Sequence, residues 1–166
     1  MKSVKFTLHS HITEELLNLI ISVKSVAWPF SYEDQKKWID KNIKDEDIHV
    51  LLFENDKPLA YLNLIKIDFH IDKELISGYG IGNVCATQKG MGWGKELIDS
   101  VNEYLKANKY IGILFCKEPL VKFYLESGWT IVEGDRLSVE KLEGGVYTMT
   151  NGSVEFGKLE YTGELF

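Results

Sequence analysis

The chain has 166 residues, 45% of them apolar and 27% charged, which suits one domain spanning 1–166 with enough apolar side chains for a full core. A net charge of -6 argues against nucleic acid as the main partner, because a phosphate backbone recruits a basic surface; it suits a small cationic partner such as an amine. No apolar run approaches the roughly 20 residues that span a bilayer, and the N-terminus shows no apolar segment before a small-residue cleavage site. No membrane partner is therefore expected, and a cytoplasmic protein is.

Residues 2–8 alternate as a short strand. Thr13 then stands as an N-cap before a helix with Leu16, Leu17, Ile20, Ile21 and Val23 as apolar positions, closed by Trp28-Pro29. Ser31-Tyr32-Glu33-Asp34 reads as a capping box for a second helix, whose apolar face is Trp38, Ile39 and Ile43. Strands follow at 48–53 and 58–69 around the turn Asn55-Asp56-Lys57. After Asp72-Lys73-Glu74 comes a third at 75–87, where Gly78, Gly80 and Gly82 suggest a bulge or a close approach to the backbone.

A helical pattern runs from Gly92 to about Asn108, with Trp93, Leu97, Ile98, Val101, Tyr104 and Leu105 on one face. Ile111 to Cys116 is a short strand. Pro119 opens a helix that Gly128 ends, and Trp129 to Glu133 is a strand. The tail, 145–161, reads as two strands around the turn Asn151-Gly152. Hairpins followed by β-α-β units predict a mixed α/β sheet with helices on both faces. Cys85 and Cys116 form no CxxC pair and lie in strand-like runs, as buried reduced thiols do. His9, His11 and His49 lack metal-ligand spacing, so no metal is expected.

The stretch Val84-Cys85-Ala86-Thr87-Gln88-Lys89-Gly90-Met91-Gly92-Trp93-Gly94-Lys95 carries the chemistry. A strand enters a glycine-rich turn, and the turn opens a long helix. The first amides of that helix have no intrahelical partner and sit at the positive end of its dipole. Glycines let phosphate oxygens reach them, and Lys89 and Lys95 add positive charge. Glu96 follows Gly94-Lys95 where a Walker A loop needs Ser or Thr, and Lys95 stands where a GxGxxG fingerprint needs its last glycine.

Lys89-Gly90-Met91-Gly92-Trp93-Gly94, five residues after Val84, resembles the coenzyme loop of the GCN5-related N-acetyltransferases, with Lys89 in place of the usual Arg or Gln. Phe123-Tyr124-Leu125-Glu126-Ser127-Gly128-Trp129 resembles that family's second element, although Lys117 replaces its common Asn seven residues before the tyrosine. The Gly128-Trp129 ending, the β-tail and the terminal Gly163-Glu164-Leu165-Phe166 look most like the aminoglycoside 2'-N-acetyltransferase branch, but Gly80 stands where that branch carries an acidic residue.

The resemblance implies a mostly antiparallel central sheet flanked by helices, with an extra C-terminal β-tail. It implies acetyl-CoA as co-substrate, held by Gly82, Asn83, Val84, Lys89, Gly90, Met91, Gly92, Trp93, Gly94 and Lys95. A small cationic amine would attack the thioester directly, with Tyr124 protonating the thiolate. Trp28, Tyr32, Glu143, Glu164 and Phe166 are candidates for holding that acceptor. Glu143, Glu164, His70 and the C-terminal carboxylate are candidates for the base. A non-catalytic coenzyme sensor and a peptide or protein N-acetyltransferase are the alternatives, and a monomer or homodimer is expected.

Overall fold

The structure, a computed structural model, describes residues 1–151 and 155–166. Gly152, half of the expected tail turn, lies outside them. In chain order the elements are β1 (Lys2–Leu8), α1 (Glu14–Ala27), α2 (Tyr32–Asn42), β2 (Ile48–Glu54), β3 (Lys57–Ile71), β4 (Glu74–Ala86), α3 (Trp93–Ala107), β5 (Gly112–Lys117), α4 (Glu118–Leu125), β6 (Trp129–Val132), β7 (Leu137–Val139), β8 (Val146–Asn151) and β9 (Leu159–Tyr161). The strands form one mixed sheet in the order β1-β2-β3-β4-β5-β8-β6, with β9 on β3 and β7 on β9. Most described ladders are antiparallel; β4–β5 and β7–β9 are parallel. The parallel β4–β5 pair is joined through α3, as a parallel pair requires a crossover.

The chain divides into two compact units: Met1–Ile65 with Gly82–Ser100, and Lys66–Ile81 with Val101–Phe166. In the first, the caps read from the sequence form. Thr13 Oγ1 accepts from the Leu16 amide at 3.1 Å, and Ser31 Oγ from the Asp34 amide at 3.1 Å. Each satisfies an amide that the helix itself leaves free. Leu16, Leu17, Ile20, Ile21 and Val23 of α1 and Ile39 of α2 then pack with Leu51, Tyr61 and Cys85 of the strands. Asn55 and Asp56 both take positive φ, 47° and 66°, the pairing that closes a two-residue hairpin.

A polar file crosses this apolar setting. His49 and Tyr61 are buried, with His49 Nδ1 2.7 Å from the Tyr61 hydroxyl and His49 Nε2 2.9 Å from His9 Nδ1. Burial, with the nearby His9 and Lys24, brings the His49 pKa down to about 3, so its imidazole is neutral at neutral pH.

In the second unit the glycines of β4 are small because the protein itself fills the space. A Cβ on Gly78 would meet the Ile111 carbonyl and the Phe69 ring, and one on Gly80 would meet the ring of Phe166. Phe166 lies with Phe115 and Tyr161, ring centroids 5.0 and 6.0 Å apart. Trp129, 1% exposed, donates its indole N–H to Asn102 Oδ1 at 2.8 Å, and Asn102 Nδ2 donates to the Ser127 carbonyl at 2.8 Å. Asn102→Ala removes both partners at once. It is expected to lower the urea midpoint at unchanged slope, by about 2 kcal/mol of stability, because a buried indole N–H is left unpaired.

The tail is held by β3 and its turn. β9 pairs with His70 and Ile71, and Asp72 accepts hydrogen bonds from the amides of Gly157 (3.1 Å) and Lys158 (2.7 Å). Strand β7, parallel to β9, has no counterpart in the sequence reading.

Candidate functional site

The glycine-rich segment begins where a ladder ends. β4 pairs with β5 over Tyr79, Gly80 and Ile81 against Gly112, Ile113 and Leu114, and both strands continue beyond those pairs. Asn83 has φ 55°, a left-handed residue inside a strand. The irregularity anticipated at the glycines thus falls on Asn83, since Asn tolerates this region better than most side chains. The far end of β4 is fixed by Thr87, whose amide and hydroxyl both donate to the Leu59 carbonyl, at 2.8 and 3.2 Å.

An exposed turn through Gln88–Gly92 follows, with Gly90 at φ 78° and Gly92 at φ 77°, and α3 starts at Trp93. The Glu96 amide donates to the Gly92 carbonyl at 3.0 Å, which leaves the amides of Trp93, Gly94 and Lys95 ahead of the first intrahelical bond. A Cβ built on Gly90 or Gly92 meets nothing within 4 Å, so the space over the turn is open. The arrangement is an accessible row of amides at a helix N-terminus, a site for an anion. Lys89 and Met91 are exposed on the turn and Trp93 is half-buried. Lys95 is ion-paired with Asp99 at 2.6 Å.

In the other unit, Tyr124 lies on α4, 6% exposed, its ring edge-on to Phe123 (4.9 Å) and Trp129 (6.5 Å). Its hydroxyl has no hydrogen-bond partner among the described residues. Burial, and then Cys116, raises its pKa, so the phenol keeps its proton.

The acceptor candidates separate. Trp28 lines a cavity of about 500 Å³ together with Lys24, Phe30, Asp34, Gln35, Trp38 and Asn83. Tyr32 is outside that lining and donates its hydroxyl to Asn18 Oδ1 at 2.7 Å. Glu143 and Phe166 come together in a hollow of about 460 Å³ with Phe115, Cys116, Lys117 and Leu120. Glu164 is ion-paired with Lys141, and its carbonyl accepts from the Tyr161 hydroxyl at 2.7 Å. His70 is exposed on β3, opposite Glu160.

Sequence reasoning missed Lys24. It is 3% exposed, and its Nζ lies 4.1 Å from the centroid of the Trp38 ring. Burial lowers its pKa to about 8. The signal was present: Lys24 occupies the i+7, i+4 and i+3 position from Leu17, Ile20 and Ile21, on the apolar stripe of α1.

Among the described residues no group of three or more His, Cys, Asp or Glu is arranged to hold a metal, and no helix is long and apolar enough to cross a membrane. Neither protein-family models nor curated proteins match the sequence. Solved structures do match. ElaA from Escherichia coli is 20% identical, with a TM-score of 0.64 over 90% of this chain and 99% of that one. An acyl-CoA N-acyltransferase from Pseudomonas aeruginosa is 15% identical, with a TM-score of 0.64 over 92% and 100%. A GCN5-related N-acetyltransferase from Kribbella flavida is 16% identical, with a TM-score of 0.60 over 78% of this chain and 33% of that longer one. With its sheet order, its glycine turn before α3 and these likenesses, the chain has the fold of the GCN5-related N-acetyltransferases.

Proposed function

We propose that the protein transfers an acyl group, acetyl in the first instance, from acyl-coenzyme A to the primary amine of a small acceptor, by direct attack within a ternary complex. The observation that carries this reading is the open row of helix N-terminal amides behind Gly90 and Gly92. A pyrophosphate is an anion of the size and charge such a row accepts, and an acyl-CoA N-acyltransferase is among the solved proteins of this fold.

In the reaction a neutral amine nitrogen attacks the thioester carbonyl, the C–N bond forms, the nitrogen gives up its extra proton to water, and the C–S bond breaks as the tetrahedral oxyanion collapses. A backbone N–H near Val84 steadies that oxyanion, since a fixed dipole there needs no reorganisation. Tyr124 holds a proton that it gives, or hydrogen-bonds, to the departing thiolate; its unpartnered hydroxyl suits that role.

The test is an assay for free thiol released from acetyl-CoA across a panel of polyamines, aminoglycosides, amino acids and peptides. Release with at least one acceptor supports the proposal. Saturable coenzyme binding with no release from any acceptor would instead favour a sensor. Tyr124→Phe is expected to lower kcat about 10- to 100-fold with little change in the KM for acetyl-CoA, the loss of one hydrogen bond to a charged group.

A further inference from the structure

We infer that the acceptor of the proposed reaction is an amine that also carries a carboxylate, and that the ammonium of Lys24 is the group that binds it. The reaction in this statement rests on the acyl-transfer reading above; the ligand chemistry rests on the Lys24 cavity.

A lysine on the apolar stripe of a helix is an unexpected choice. Leu or Met would fill the same place without taking an ammonium out of water, a step that is costly unless an anion compensates. Here no anion from the described residues compensates. Lys24 makes no hydrogen bond and no ion pair; its polar contact is with the face of Trp38. Asp34 is the acidic residue on the cavity wall, and it is exposed on the first turn of α2, without an ion pair to Lys24. The cation is therefore buried, without an anionic partner and turned into a cavity of about 500 Å³, within the usual range for small-molecule sites.

The chemistry of the walls narrows the ligand. One ammonium matches one negative charge, and a carboxylate carries one. Trp28, Phe30 and Trp38 offer apolar and aromatic surface beside it, suited to an apolar side chain. Asn83 of β4, next to Val84, lines the same cavity. A molecule anchored at Lys24 thus lies against the strand to which the reaction is assigned. An apolar amino acid has the required parts: carboxylate, amine and side chain.

The test uses the whole protein with L-phenylalanine, L-tryptophan and L-leucine as acceptors, each beside its amide and its decarboxylated amine. In the wild type the free acids are expected to exceed their neutral counterparts at least about 10-fold in kcat/KM, the cost of leaving a buried charge unmatched. Lys24→Met should erase that preference while leaving the KM for acetyl-CoA unchanged, and Lys24→Arg should keep part of it. Equal turnover of acids and amines, or a preference that survives Lys24→Met, would overturn the inference.

If acetyl-CoA binds but no acceptor releases thiol, the transfer reading fails, and the site is then judged by binding alone. Trp28 and Trp38 serve as reporters in a tryptophan-fluorescence titration with L-phenylalanine and N-acetyl-L-phenylalanine. A saturable change that weakens at least about 10-fold in Lys24→Met upholds a carboxylate site at Lys24. No saturable change with either compound ends it.

Discussion

Gly92→Glu is expected to abolish coenzyme binding while leaving the protein folded. The glycine sits at φ 77° with nothing within 4 Å of where a Cβ would stand. A side chain there meets no protein atom, and the strain of a left-handed residue costs only about 1–2 kcal/mol. The new carboxylate instead occupies the space over the amides of Trp93, Gly94 and Lys95 and repels the phosphates they would hold. Losing two or three charge-assisted hydrogen bonds should weaken acetyl-CoA about 1,000-fold or more. Titration calorimetry reads this directly. Thermal unfolding gives an independent reading, because coenzyme at 100 times its Kd should stabilise the wild type by about 2.7 kcal/mol and the variant by almost nothing. Gly92→Ala carries the same backbone strain without charge or bulk, and should lose far less affinity. Equal binding by wild type and Gly92→Glu would remove the basis of the coenzyme assignment.

Lys24→Met should make the protein more stable, an uncommon direction for a buried substitution. The folded pKa of Lys24, about 8, lies below the ordinary 10.5 of an unfolded chain. Between those values the unfolded state binds more protons, so stability rises with pH. Below about pH 8 the folded protein carries the whole cost of a desolvated ammonium, for which the pKa difference sets an upper figure of roughly 3 kcal/mol. Methionine keeps the stem and drops the charge. The gain from Lys24→Met should therefore be largest near pH 7 and shrink as pH climbs through 8 towards 10.5. Urea titrations of both proteins across that range check it. A loss of stability at pH 7 would mean that the contact with Trp38 outweighs desolvation.

Where local chemistry decides structure, the sequence was a sufficient guide. Thr13 and Ser31 cap the helices they were expected to cap. Asn55-Asp56 closes its hairpin because both side chains tolerate positive φ, and Asp72 does the same at the next turn, with Lys73 beside it at φ 71°. The glycine turn before α3 was legible for the same reason: its amides are consecutive, so the whole motif is contiguous. What was not legible depends on distant partners. β7 has three residues and is defined by its pairing with β9, which leaves no alternation to read. Gly78 and Gly80 signalled close approach, but what approaches is the protein's own Phe69, Ile111 and Phe166. The cavity at Lys24 draws on residues 24–38 and on Asn83, and a lysine counted as polar hides the turn of α1 that carries it inward.

The file from His9 through His49 to Tyr61 has a direction. With His49 neutral, only one of its ring nitrogens carries hydrogen. If Tyr61 donates to Nδ1, then Nε2–H must point to His9, which accepts on Nδ1. Were His9 Nδ1 the donor instead, His49 would hold the other tautomer and Tyr61 would accept in its turn. The tautomer chosen at one end of the file thereby sets the polarity of a hydroxyl in the middle of the core.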